Sequence, residues 1–311
     1  GTVYRRSAGF PGPPQTLKEG APLATSDAYS HKSEPLLLYG DSYRFPDIYH
    51  LTRFLAPDPF ITIEHDGELV VLTNSLEQGR AEKESRATRI RNVDELGQRD
   101  LSKAGIFGDA ATATIIERAL RERGATRCRV PRYFPIVLAD LLRASGIELE
   151  VAADLDQRRR TKRPDELEAL EAVQRATEAG WEEGVAALAR AEVRPDRTLW
   201  LDGLVFTAER LRAVVEGALL ARGCVAESTI VAPGTQAADP HLIGSGPLHA
   251  GEAIVMDIFP QDKRTRYYAD MTRTVSRGLA GGDTTGLAAK SKGIPRMSAY
   301  STLNLSSSFN S

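Results

Sequence analysis

The sequence predicts an α/β (α+β) protein of two domains, and three observations carry that reading. From Glu34 to Asp154, short apolar runs of strand length alternate with segments of helical period, the pattern of a layered domain with a mixed sheet. From Pro164 to Arg190, apolar residues keep helical spacing over a much longer stretch. From Gly251 to Gly278, two runs rich in β-branched and aromatic residues flank a polar turn, which reads as a hairpin.

Residues 1–27 show no periodicity, and the Pro/Gly stretch Gly9 to Pro14 predicts an extended or disordered segment. The first domain is assigned to residues 28–158. It opens with the apolar strand Pro35 to Gly40, and Pro46 to Leu55 follows as a helix with Ile48, Leu51 and Leu55 on one face. FITIEH and ELVVLT are strands joined by Asp66-Gly67, a strong two-residue hairpin signal. Next come a helix from Ser75 to Ser85, the strand ATRIRNV and a helix from Asp109 to Arg123 with Ile115, Ile116 and Leu120 as its buried face. Gly124 stops that helix. The strand CRV, a helix from Pro135 to Ala144 and the strand IELEVAA complete the domain. Tyr43, Tyr49, His50 and Arg53 are its most notable polar and aromatic residues and read as a solvated helix face; His31 and His65 read as surface histidines.

The second domain is assigned to residues 159–278. The basic run Arg158 to Arg163 marks the boundary, since overall charge gives no support to a nucleic-acid role. Pro164 suits a first helical turn, where its missing N–H costs nothing, and Asp165 and Glu166 suit a helix N-terminus. Leu167, Leu170, Val173, Ala176, Trp181, Val185 and Leu188 then form the expected buried stripe. A second helix runs from Thr207 to Arg222, and Glu227 to Ala232 is a strand. PGTQAADPH is a loop ending at His241. GSGPLHAG, which contains His249, is a tight loop that precedes a strand and so is no dinucleotide fingerprint.

The hairpin strands are Ala253 to Phe259 and Arg266 to Val275. A turn centred between Lys263 and Arg264 sets Asp257 opposite Asp270, on the face shared with Val255, Phe259, Tyr268, Thr272 and Thr274. Opposed residues lie roughly 4.5–5.5 Å apart at Cβ, so two carboxylates there repel. A shared proton, an Arg or a cation would offset this; the alternative is an exposed hairpin with two solvated carboxylates.

The DIFPQ…YYADMTRT pattern resembles the M24 metallopeptidases of "pita-bread" fold, which include aminopeptidase P and prolidase. Many relatives have Asp-x-Gly where this chain has Asp257, Ile258 and Phe259. The resemblance implies that Asp257 and Asp270 are ligands of a dinuclear divalent metal centre (Mn, Co or Zn), with Thr272 beside them. It places His241 near the metals, where it contacts the substrate or the tetrahedral intermediate. It implies a creatinase-type N-terminal domain, an Xaa-Pro peptide substrate, hydrolysis by a metal-bound hydroxide, and a homodimer in which the N-terminal domain helps wall the partner's active site.

The same resemblance exposes a shortfall. The family uses three further ligands after this hairpin, one His and two Glu, and no His or Glu occurs after Gly278. The expectation is therefore an incomplete pita-bread domain followed by a disordered Ser-rich tail, 279–311, through truncation or a frame change, with weak or absent metal binding and no activity in this chain. The alternative is a non-catalytic remnant or binding protein. A metal-free creatinase-like hydrolase is a further reading, opposed by the two retained Asp.

Composition bounds the remaining classes. With 40 basic and 42 acidic side chains the net charge is −2, which gives no general attraction to nucleic acid or anionic membrane. No apolar run approaches the roughly 18 residues of a membrane span, and no signal peptide is visible at Gly1. Cys128 and Cys224 fall in different domains and suit a reducing cytoplasm.

Overall fold

The computed structural model describes residues 34–278 and the strand 297–300. Contacts divide the chain into two compact units, residues 1–156 and 157–311. The segments 1–27 and 279–311, expected to be disordered, lie outside the described residues except for Met297–Tyr300, which forms a strand. His31 also lies outside them.

In the first unit the strands β1 (Leu36–Gly40), β2 (Phe60–His65), β3 (Glu68–Thr73), β4 (Arg89–Asn92), β5 (Arg127–Val130) and β6 (Glu148–Val151) form one sheet in the order β4-β3-β2-β1-β5-β6. The pairs β1-β2 and β2-β3 are antiparallel, and the other three are parallel, so the sheet is mixed. Asp66 and Gly67 both take positive φ (49° and 80°), as a hairpin turn matching the strand twist requires. The helices are α1 (Pro46–Thr52), α2 (Gln78–Glu84), α3 (Gln98–Lys103), α4 (Gly108–Arg121) and α5 (Ile136–Ala144), and α6 (Leu155–Arg160) begins in this unit and runs past its last residue, Asp156. Leu37, Ile61, Ile63, Val70 and Leu72 pack with residues of α3, α4 and α5 in one cluster. Leu36, Leu38 and Val71 pack with Ile48, Leu51, Ala81 and Leu155 in another. Alternate residues of the same strands thus feed two cores, and the sheet is covered on both faces.

The solvated face expected on α1 is corrected. Asp47, Ile48, Tyr49, His50, Leu51 and Thr52 are all buried, and only Tyr43 is well exposed. The helix is short and ends at Arg53, which adopts a left-handed φ of 56° and donates its N–H to the Tyr49 carbonyl. Its guanidinium lies 5.3 Å from the centre of the Tyr49 ring.

In the second unit α7 (Pro164–Arg190) and α8 (Ala208–Leu220) pack together. Thr207 caps α8, its hydroxyl accepting from the Arg210 N–H. The buried face of α7 keeps Val173, Ala176 and Leu188 of the expected stripe, with Trp181 and Val185 packed against the same core, and departs from it elsewhere. Leu167 is exposed, and Ala169, Val173, Ala176, Thr177, Gly180, Gly184, Ala187 and Leu188 are inside. Close helix approach is the reason, since a Cβ on Gly184 would lie 2.9 Å from Val215 Cγ2.

The strands of this unit are β7 (Glu192–Val193), β8 (Leu199–Leu201), β9 (Leu204–Val205), β10 (Cys224–Val225), β11 (Ile230–Pro233), β12 (Ile254–Ile258), β13 (Gln261–Asp262), β14 (Met271–Arg277) and β15 (Met297–Tyr300). The order β11-β12-β14-β15 makes a four-stranded antiparallel sheet. On β12, Ile254, Met256 and Ile258 are buried while Val255 and Asp257 are half-exposed. The buried set joins Val231, Met271, Val275 and the buried residues of α7 and α8 in one core. One face of the sheet is therefore the floor of the core, and the other carries Asp257. Among the described residues no helix is long and apolar enough to cross a membrane.

Candidate active site

The hairpin that carries the two aspartates has a different register from the one expected. Asp257 pairs with Thr272, not with Asp270. The pairing continues toward the tip, where Gln261 bridges Tyr268, Asp262 N–H donates to the Tyr267 carbonyl, and Ala269 N–H donates to the Pro260 carbonyl. The turn is centred one residue later than expected because the Asp262 carboxylate organises it, accepting from Arg264 N (2.9 Å), Thr265 N (2.7 Å) and the Thr265 hydroxyl (3.0 Å). The resulting slip is two residues, so the side on which each residue points is kept. Asp270 falls diagonally from Asp257 on the same face, a relation of roughly 7–8 Å in an antiparallel pair. It lies just before β14 and not within it.

Three of the four expected site residues converge there. The Thr272 hydroxyl donates to Asp257 Oδ1 at 2.5 Å. Burial pushes the Asp270 carboxyl above the usual carboxylate range, and the like charge of Asp257 pushes it the same way. His241 is apart from them. It is exposed, its backbone N–H donates to Asp239 Oδ1 at 3.1 Å, and its side chain makes no hydrogen bond or ion pair among the described residues. Its loop joins β11 to β12, and β11 meets β12 at Ile230 opposite Asp257. His249 lies 3.7 Å from the Glu252 carboxylate.

The donor set suits a hard divalent cation as far as it goes: two carboxylates on one face, with charge repulsion that a cation would relieve. Among the described residues no group of three or more His, Cys, Asp or Glu side chains could hold a metal ion, so these residues do not complete a centre.

One feature of the site escapes the sequence pattern. Glu166, in the first turn of α7, is buried; its Oε2 accepts from the Arg163 N–H at 2.8 Å and its Oε1 from the Tyr267 hydroxyl at 2.7 Å. This ties the start of α7 to the hairpin three residues before Asp270. Pro164 and Glu166 advertise a helix start, but nothing local to either residue reveals a partner 101 positions away.

Residues 168–288 match the family model described as metallopeptidase family M24. Comparison with curated sequences finds no match. Among solved structures, the chain is similar to the prolidase of Pyrococcus horikoshii, with 17% identity and a TM-score of 0.55 over 80% of this chain and 62% of that one. It is similar to the X-Pro aminopeptidase of Thermotoga maritima, with 17% identity and a TM-score of 0.61 over 81% and 64%. It is also similar to the Xaa-Pro dipeptidase of Bacillus anthracis, with 15% identity and a TM-score of 0.58 over 80% and 62%. At these identities the likeness is one of fold, and the chain spans less than two thirds of the length of these structures. The M24 resemblance read from the hairpin motif, and the α/β fold class, are both met.

Proposed function

We propose that this chain carries part of the active centre of a metal-dependent aminopeptidase or dipeptidase of the Xaa-Pro type. The observation that carries the reading is the meeting of Asp257 and Asp270 on one exposed sheet face, with Thr272 donating to Asp257, in a fold shared with Xaa-Pro peptidases. Asp257 and Asp270 would hold the divalent cation, and their oxygen-only ligation leans toward Mn²⁺ over Co²⁺ or Zn²⁺. A bound divalent cation supplies Lewis acidity toward a carbonyl and acidifies a water. The protein's own groups orient and bind. The Thr272 hydroxyl holds one oxygen of Asp257 and so sets the direction of the other. His241 would donate an N–H to the oxygen of the scissile carbonyl as negative charge grows on it. A homodimer and a cytoplasmic location belong to the same reading.

A second reading is a non-catalytic remnant or binding protein. Calorimetric titration with Mn²⁺ separates the two. The peptidase reading expects uptake with a dissociation constant on the order of 10⁻⁴–10⁻³ M, as for sparse carboxylate sites, and its loss in both Asp257→Asn and Asp270→Asn. Equal uptake by the wild type and both variants would overturn the ligand assignment. Tight uptake of two ions per chain would eliminate the remnant reading.

A further inference from the structure

We infer that Glu209 and Arg212, one turn apart on α8, are positioning residues that hold the His241 loop beside the strand paired with Asp257. This deepens the reading of His241 given above and rests on it. The loop between β11 and β12 has little regular structure, so its backbone polar groups need partners from elsewhere. Arg212 supplies them for two loop carbonyls, Nη2 donating to Ile243 O at 2.7 Å and Gly244 O at 2.8 Å, while its Nε donates to the carbonyl of Thr229, just before β11, at 2.7 Å. Glu209 accepts the Gly246 N–H at 3.1 Å on Oε1 and 3.3 Å on Oε2. The Gln236 side chain brackets Ser245, donating to its carbonyl at 2.9 Å and accepting from its N–H at 3.0 Å. Four consecutive residues, 243–246, are thus held through their backbones, beginning two positions after His241.

The loop is also pressed against β11. Val231 N–H donates to Ile243 O at 2.9 Å. Gly244, at φ +83°, passes so close that an added Cβ would lie 1.8 Å from the Val231 carbonyl oxygen. Only glycine meets both conditions. Because Thr229 precedes the residue opposite Asp257, one guanidinium joins the strand beside that carboxylate to the loop that carries His241. Arginine suits the task because its planar fork presents several fixed donors at once, whereas a lysine ammonium is a single point.

The exchange measurement uses the full chain without metal, so its result does not depend on whether Asp257 and Asp270 bind a cation. Amide hydrogen exchange in Arg212→Met is expected to accelerate on the order of 10–100-fold at Val231, Ser245 and Gly246, whose N–H groups are paired with or within the clamped loop, since losing hydrogen bonds to a charged group lets the loop open more often, with β12 and β14 unchanged. Glu209→Gln, a milder change, is expected to accelerate Gly246 alone, and Arg212→Lys to restore protection in part. The His241 Cε1–H resonance reads the positioning itself. Added Mn²⁺ is expected to broaden it in the wild type and less in Arg212→Met at equal metal occupancy. Unchanged exchange at Val231, Ser245 and Gly246, or acceleration spread evenly over the second unit, would overturn the inference. An exchange effect without any Mn²⁺ broadening of His241 in the wild type would leave the clamp standing and sink the peptidase reading instead.

Discussion

Asp270 is the residue where the site and folding pull against each other. Its carboxyl is pushed up by burial and by Asp257, so the folded protein binds a proton there more readily than the unfolded chain. The sign follows: folding is favoured below the unfolded pKa of about 3.9, and that advantage is lost as pH rises through the folded value. At neutral pH the ionised Asp270 therefore opposes folding, and because its carboxyl is only partly withdrawn from water, solvent screens the effect. Asp270→Asn is expected to melt higher than the wild type at pH 7 in chelator, with the gain shrinking as pH falls toward about 4. Added Mn²⁺ should reverse the ranking by stabilising only the wild type. Thermal melts across that pH range, with and without metal, check both parts; a variant less stable than the wild type in chelator at pH 7 contradicts the first. At this scale the sequence was readable in one respect and not in another. Period two put Asp257, Asp270 and Thr272 on one face, and a slip of two residues preserves that assignment. The pairing partner depended on the turn, which Asp262 shifts through hydrogen bonds that residue types alone do not announce.

At the scale of elements, the contact between Glu166 and Tyr267 joins the first turn of α7 to the hairpin that delivers Asp270. A buried carboxylate that loses a donor keeps its desolvation cost. Tyr267→Phe is expected to destabilise the second unit by about 1–3 kcal/mol, read as a fall in the urea midpoint with an unchanged m-value. Glu166→Ala should cost more, since it also removes the acceptor for the Arg163 N–H. A neutral Tyr267→Phe would mean that the hydroxyl contributes nothing net. Helix starts were legible here because Pro164 and Thr207 carry local chemistry for them. The buried face of α7 was legible only in part: Val173, Ala176 and Leu188 of the expected stripe are buried, and Trp181 and Val185 pack against the same core. Hydrophobic spacing selects Leu167 and Leu170, but the contact with α8 is made where Gly180 and Gly184 let the backbones approach, and a small side chain carries no apolar signal.

At the scale of the molecule, the two units differ in how completely their sheets are covered. The first buries apolar side chains on both faces of its six-stranded sheet, against α3, α4 and α5 on one side and α1, α2 and α6 on the other. The alternation of strand and helix along residues 34–154 made that layering legible, because each element carries its own period and its neighbours in sequence are mostly its neighbours in space. The second unit packs α7 and α8 on one face of its four-stranded sheet and presents Asp257 and Thr272 on the other. A domain that folds alone needs a hydrophobic core of its own, and the cores of the first unit contain no residue of the second. Residues 34–156 produced as a separate polypeptide are therefore expected to unfold cooperatively in urea. The full chain is expected to show more than one transition, since two cores that share no members need not melt together. Denaturation of both polypeptides followed by far-ultraviolet circular dichroism makes the comparison. A separate 34–156 polypeptide that lacks a cooperative transition would mean that the two cores support each other, and the division between Asp156 and Gln157 would then mark a change in contact pattern and not a boundary in stability.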